Sequence, residues 1–129
     1  MVIAASALMA ILKKEPEWRA FFRAINRAAS AWISPVNWYE AAVNAEKYGI
    51  NNVRIVETIV QRLRIDVVPL DEHQMRLAHA AWRKYGKGRN PAQLNMGDCF
   101  AYALAKQTGE PLLYKGRDFV HTDITSALP

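Results

Sequence analysis

The sequence Asn95-Met-Gly-Asp98-Cys-Phe-Ala-Tyr-Ala-Leu-Ala105 puts an acidic residue in the first turn of an apolar helix. Asn95 is a good N-cap, so Asp98 falls at the third helical position, where the partial positive charge of the helix N-terminus stabilises a carboxylate. Asp98 also shares a face with Ala101 and Ala105, which should pack inward. A half-buried carboxylate needs a partner, and a metal ion and an arginine are both candidates.

Composition and charge limit the class of protein. The chain has 129 residues, 51% of them hydrophobic, which predicts one domain with a real core over residues 1–129. Its one cysteine, Cys99, excludes an internal disulfide, indicates a reducing cytoplasmic setting, and is expected to be inert core packing. The apolar run over residues 1–12 is too short to span a membrane, which takes about 20 residues. A net charge of +5 permits a nucleic-acid partner.

Short apolar runs alternate with capped amphipathic helices along the chain. Strands are predicted over residues 2–5, 31–33, 65–68 and 111–114. Helix N-caps are predicted at Ser6, Ser34, Asp71 and Asn95, and left-handed helix ends at Gly49 and Gly109. A further helix is predicted from about residue 51 to 63. This alternation predicts an α/β fold whose parallel sheet is covered by helices on both faces, with a site at the carboxyl ends of its strands.

Acidic residues fall where the chain should pass this edge of the sheet. In the predicted helix that Ser34 caps, Glu40 lies on one stripe with Val36 and Val43, a face expected to be covered by protein. Asp98 begins a later helix, and Asp118 follows the last predicted strand. The glycine-rich basic stretch over residues 85–91 lies just before the Asp98 helix, but it lacks the Gly-Lys-Ser or Gly-Lys-Thr ending of a phosphate-binding loop.

Short motifs that together cover nearly the whole chain lie at residues 1–8, 15–17, 40–41, 68–70, 85–89, 94–102 and 112–119. By these motifs the chain resembles the VapC toxins, PIN-domain ribonucleases of prokaryotic toxin–antitoxin pairs. The resemblance implies a three-layer α/β/α PIN-like domain with four or five parallel strands, acting as a homodimer on transfer or ribosomal RNA and blocked by a small VapB-type antitoxin. It also implies acids that hold magnesium or manganese, matched here by Glu40, Asp98 and Asp118, with Asp123 nearby.

The chain departs from the family pattern at its first acid. The position that would hold an aspartate after the first strand is Ala4. A deliberate replacement that disarms a toxin and a naturally decayed copy both explain this, and the intact remainder of the site favours the first. Magnesium takes few protein ligands, so the loss of one predicts an inactive enzyme.

The residues near these acids leave three function classes open. One is a metal-dependent endoribonuclease in an inactivated form, another is a module that binds RNA or antitoxin without cutting, and the third is a small-molecule phosphate-ester hydrolase. Basic residues in neighbouring loops are candidate phosphate contacts, and they disfavour small neutral substrates. They are Lys87, Arg89, Lys115 and Arg117. The whole-chain resemblance favours the ribonuclease.

Overall fold

A computed structural model describes residues 1–49, 54–89 and 91–128. The strands are β1 (Val2–Ile3), β2 (Ala31–Ile33), β3 (Ile65–Val67) and β4 (Leu112–Leu113). The helices are α1 (Ala5–Leu12), α2 (Trp18–Arg27), α3 (Pro35–Lys47), α4 (Ile55–Arg62), α5 (Glu72–Tyr85) and α6 (Met96–Thr108), followed by a 3₁₀ turn (Asp118–His121). Among the described residues, no helix is long and apolar enough to cross a membrane.

The four strands form one parallel sheet in the order β3-β2-β1-β4. The chain moves outward from β1 through β2 to β3 and then returns to place β4 on the other side of β1. The direction of winding therefore changes between β1 and β4. In open α/β sheets such a switch point forms a crevice beyond the carboxyl ends of the strands.

Helices cover both faces of this sheet, which confirms the three-layer α/β/α architecture. Successive residues of a strand point to opposite faces, so Ile3 and Leu113 join one core while Val2 and Leu112 join the other. The first core is closed by α1, α2, α3 and α4. The second is closed by α5 and α6, whose buried Ala78, Ala81, Ala101 and Ala105 allow close approach.

Local signals predicted most helix ends correctly. The Ser34 side chain accepts a hydrogen bond from the Val36 N–H, with Pro35 at the first helical position. Asn95 and Asp98 form a reciprocal capping box at the start of α6. Gly49 and Gly109 both have left-handed backbone conformations, with φ of 75° and 69°.

Two predicted helix starts differ from the structure. The residue before α1 is Ala4, not Ser6, because the Ser6 hydroxyl instead accepts a hydrogen bond from the Lys115 N–H at 3.0 Å. Asp71 caps α5 as predicted, but its pairing with Gln74, which predicts a reciprocal capping box, forms only half of one because the Gln74 side chain donates to the Pro69 carbonyl. The start of α4 predicted near residue 51 lies outside the described residues.

The apolar spacing along α5 predicts that Met75 and Trp82 point inward, but both side chains are exposed. Met75 is 52% exposed and Trp82 is 40% exposed. The buried residues of α5 are Gln74, Ala78, Ala81 and Tyr85, and Met75 and Trp82 lie beside this face.

Candidate active site

Ala4 lies at the switch point, directly after β1, and is 2% exposed. Its N–H donates to the Leu113 carbonyl of β4 at 2.9 Å, and its carbonyl accepts from the Ala7 and Leu8 N–H groups of α1. Ala4 is thus the N-cap of α1, with an extended backbone and no side-chain cap. Aspartate is a preferred residue and alanine a poor one in this role. The local geometry of position 4 therefore suits the acid expected there.

Asp98 projects from the first turn of α6 and is half-buried. Its carboxylate accepts the Asn95 N–H at 3.1 Å, and its own N–H donates to Asn95 Oδ1 at 2.8 Å. Burial raises the pKa of Asp98 to about 6; the Asn95 hydrogen bond opposes this rise, and the charges of Asp118 and Glu40 add to it. Asp98 therefore lies within electrostatic range of both other candidate acids.

Glu40 meets α6 at its first turn. An added Cβ on Gly97 would lie only 2.4 Å from Glu40 Oε1, so the carboxylate fills the space that a side chain would occupy. Asn37 donates from Nδ2 to the Gly97 carbonyl at 2.9 Å and to Glu40 Oε1 at 3.4 Å. Burial raises the pKa of Glu40, and the Asn37 hydrogen bond opposes that rise.

Asp118 and Asp123 differ in their surroundings. Asp118 begins the 3₁₀ turn after β4 and is exposed, and it is one of the two acids whose charge acts on Asp98. Asp123 accepts hydrogen bonds from Tyr102 Oη at 2.7 Å and Lys106 Nζ at 3.0 Å. These bonds lower the pKa of Asp123, with the Tyr102 bond the largest cause. Asp123 is therefore already compensated by neighbours further along α6.

The four candidate phosphate contacts are not equally free. The Arg89 guanidinium lies 4.3 Å from the centre of the Trp82 ring, and Lys87 and Arg117 are exposed. Lys115 forms ion pairs with Glu15 and Glu17, at 2.6 Å from Glu17. A phosphate would have to compete with two carboxylates for the Lys115 ammonium.

The donor set suits magnesium in its chemistry but does not form a complete cluster. Within the described residues, no three acidic, histidine or cysteine side chains are grouped closely enough to hold a metal ion. Magnesium usually keeps several waters and takes one or two protein carboxylates together with substrate phosphate. Two carboxylates from the group of Glu40, Asp98 and Asp118 match that requirement.

Cys99 is a neighbour of the acids rather than a member of the site. It is 3% exposed. Burial, with a smaller contribution from the Asp98 charge, raises the pKa of its thiol to about 11. The thiol stays protonated at neutral pH, as inert packing requires.

Sequence reasoning missed Asn37 and Gly97. Asn37 is a polar residue three positions before Glu40, on the same helical face. Gly97 is a glycine inside a helix that otherwise favours alanine, which often indicates close packing. Both signals are visible in the sequence, but only the packing of α3 against α6 connects them.

Known proteins are similar to this chain in sequence and in fold. The PIN domain family matches residues 1–124. Over 131 residues the chain is 44% identical to Ribonuclease VapC30 of Mycobacterium tuberculosis and to a VapC ribonuclease of Mycobacterium bovis, with 100% of each chain covered. It is 40% identical over 127 residues to Ribonuclease VapC of Mycolicibacterium smegmatis, with 98% of each covered.

A solved structure gives the same architecture. A chain of a toxin–antitoxin complex from Klebsiella pneumoniae superposes with a TM-score of 0.70 at 17% identity, covering 95% of this chain and 92% of the other. That likeness concerns the fold alone. The family match and the full-length identity go further, and by them this chain belongs to the PIN-domain family of VapC ribonucleases.

Proposed function

We propose that this chain is a catalytically disabled form, with Ala4 in place of an aspartate, of a magnesium-dependent endoribonuclease toxin of a VapBC-type pair that acts in the cytoplasm as one PIN-like domain over residues 1–129. One observation carries the proposal. Asp98 is half-buried within electrostatic range of Asp118 and Glu40, so that burial and, to a smaller extent, these two charges raise its pKa, and no cation of the described residues forms an ion pair with any of the three acids. A group of carboxylates without a compensating charge is a site prepared for a cation.

Asp98, Glu40 and Asp118 would hold the ion, which is magnesium or manganese. When bound, such an ion polarises the scissile phosphate and lowers the pKa of the attacking water. The protein's part is to orient the ligands. The Asn95 N–H donates to the Asp98 carboxylate, and the Glu40 carboxylate rests against the Gly97 backbone.

RNA would reach the acids along a groove of about 310 Å³ between α3 and the start of α6. Its lining includes Glu40, Tyr39 and Lys47, and the Tyr39 side chain is 67% exposed. An exposed aromatic ring can stack on a base, and cations nearby attract the backbone. Lys87, Arg89 and Arg117 would supply further phosphate contacts, with Lys115 a weaker candidate because of its two ion pairs.

We further propose that Ala4 makes this sequence inactive. Position 4 is the N-cap of α1 at the switch point, beside the strand that leads to Asp118. An aspartate there would add a carboxylate to the group and would also cap α1. Alanine supplies neither function, so the first acid of the family pattern is missing from the group.

Two exposed surfaces suit the proposed protein partners. The outer side of α2 presents a groove of about 480 Å³ lined by Trp18, Arg19, Phe22 and Arg23, which we assign to an antitoxin segment. An apolar patch on α5 and α6 includes Met75, Trp82, Met96 and Phe100. We assign this α5–α6 patch to a second copy of the chain, because contiguous exposed apolar surface usually marks an interface.

The test is to restore the acid. Ala4→Asp is expected to bind magnesium more tightly than the chain as given and to cleave transfer or ribosomal RNA, with cleavage lost again in Ala4→Asp combined with Asp98→Asn. Calorimetric titration and an RNA cleavage assay measure the two effects. Equal cleavage with alanine and aspartate at position 4 would show that position 4 is not a ligand.

The second candidate function is a module that binds RNA or antitoxin without cutting. The absence of a three-ligand group among the described residues favours it. If Ala4→Asp neither binds magnesium nor cleaves RNA but still binds single-stranded RNA, this candidate replaces the first.

A further inference from the structure

Asn37 is a polar side chain buried between the two helices that carry Glu40 and Asp98. It lies in the first turn of α3 and is 1% exposed. Its amide nitrogen has two protons, and it contacts two acceptors, the Gly97 carbonyl at 2.9 Å and Glu40 Oε1 at 3.4 Å. One side chain thus touches a candidate ligand on α3 and the residue directly before a candidate ligand on α6.

We infer that Asn37 is a positioning residue that fixes the Glu40 carboxylate at a set place relative to Asp98. The inference rests on the proposed metal site. Groups that hydrogen-bond metal ligands set the direction of those ligands and thereby the affinity of the site. Asn37 is the described side chain that hydrogen-bonds the Glu40 carboxylate while anchored to α6.

Gly97 closes the arrangement from the other side. A Cβ there would lie 2.4 Å from Glu40 Oε1 and 2.7 Å from Oε2, so the carboxylate rests directly against the α6 backbone. Glycine weakens a helix relative to alanine, and this one has no left-handed φ that would require it. The Glu40 carboxylate is therefore held between the Asn37 amide and the Gly97 backbone.

The other end of the Asn37 amide shows that this arrangement is not the most stable one. Asn37 Oδ1 is buried, and no described residue donates a hydrogen bond to it. A buried acceptor without a partner destabilises a fold, and an apolar side chain of the same shape would avoid that cost. Gln74 has the same kind of unpaired buried oxygen, so what distinguishes Asn37 is its contact with the Glu40 carboxylate and the Gly97 carbonyl.

The chain contains a matched buried amide far from the acids. Gln74 is also 1% exposed, donates to the Pro69 carbonyl at 3.0 Å, and has an Oε1 that no described residue contacts by a hydrogen bond. The Gln74 N–H donates to Asp71 Oδ1, and the other Asp71 oxygen accepts a hydrogen bond from Gln107 Nε2. Gln107 is nine residues after Asp98 on α6, about 13 Å along the helix. Gln74→Leu therefore makes a similar change at the opposite end of α6.

The experiment compares Asn37→Leu with Gln74→Leu in the full chain, each with alanine and with aspartate at position 4. Nuclear Overhauser contacts between Glu40 Hγ and Gly97 Hα report the carboxylate position without any metal. Manganese titration reports affinity, and thermal unfolding reports stability. Asn37→Leu is expected to lose the contacts and, with aspartate at position 4, to bind manganese about tenfold more weakly. Gln74→Leu should keep both, and both variants should unfold within a few degrees of their parents.

Each outcome decides the matter. Unchanged Glu40–Gly97 contacts in Asn37→Leu, or unchanged manganese affinity, would overturn the inference. If the Ala4→Asp parent binds no manganese, the proposed metal site fails, while the contacts still show whether Asn37 positions Glu40. Should Asn37→Leu not fold, Asn37→Ala removes the same donor and serves the same comparison.

Discussion

Replacing Asp98 by asparagine is expected to stabilise the fold near neutral pH. Burial is the main reason that the pKa of Asp98 rises from 3.8 to about 6, and Asp118 and Glu40 add to it against the Asn95 hydrogen bond. Asparagine keeps an oxygen that can accept the Asn95 N–H, which lies 3.1 Å from Asp98 Oδ2. The substitution therefore removes the charge and preserves the cap.

The pKa shift sets the size and pH dependence of this effect. A rise of roughly 2 pKa units corresponds to about 3 kcal/mol, because each unit is worth about 1.4 kcal/mol. The folded state binds this proton more tightly than the unfolded state, so the contribution is fully present below pH 3.8 and is lost as the pH rises to about 6. Asp98→Asn should raise the free energy of unfolding by up to about 3 kcal/mol at pH 7 and by almost nothing below pH 4.

Urea unfolding between pH 4 and pH 8 without divalent ions measures this difference. Asp71→Asn is the control of opposite sign: the Gln74 N–H bond lowers the pKa of Asp71, so the folded state favours its charged form, and removing that charge should destabilise the protein at pH 7. The reasoning is refuted if Asp98→Asn is no more stable than the parent at pH 7, or if its gain persists at pH 4.

Three other changes test the site and the assembly. Gly97→Ala should displace Glu40 and abolish manganese binding in the Ala4→Asp chain, while the free energy of unfolding stays equal or rises by up to about 1 kcal/mol because alanine favours a helix. The control Gly109→Ala, at a φ of 69°, should keep manganese binding and lose stability. Manganese binding by Gly97→Ala would contradict the close approach of Glu40 to Gly97. Trp82→Glu should convert a dimer to a monomer in light scattering, whereas Leu70→Glu, at a position 45% exposed, should leave the dimer intact. A monomeric parent would show that the α5–α6 patch is not a dimer interface. Magnesium should raise the thermal midpoint of Ala4→Asp more than that of the chain as given, and equal shifts would argue against a ligand at position 4.

Local sequence signals predicted the elements because the physics that ends a helix acts within a few residues. Ser34 followed by Pro35, the Asn95 capping box and the left-handed Gly109 each need only neighbouring backbone groups. Ser6 failed as a cap because its hydroxyl contacts Lys115, a residue 109 positions away. A helix cap is predictable from sequence unless the capping side chain forms a hydrogen bond with a residue that is distant in the sequence.

The candidate acids could be named from the sequence, but their environment could not. The spacing of Asp98 and Glu40 showed that both lie on covered faces. Repulsion among the three carboxylates predicts raised pKa values, whereas burial is the larger cause for Asp98. The Asn37 contact with Gly97 joins residues 60 positions apart and depends on how closely α3 approaches α6. The helical period of a sequence relates residues within one helix and cannot predict the distance between two helices.

Position 4 is where stability and the proposed chemistry oppose each other. As the N-cap of α1, an aspartate would gain about 1 kcal/mol over alanine from bonding free N–H groups. The same side chain would put another negative charge at an edge where Asp98 already has a pKa of about 6, and at a position only 2% exposed. When no cation is present, the free-energy cost of desolvating a buried carboxylate and placing it beside other negative charges exceeds the gain from one capping hydrogen bond. Alanine at position 4 is therefore the more stable choice for the metal-free chain, and aspartate is favoured only when a cation compensates the group.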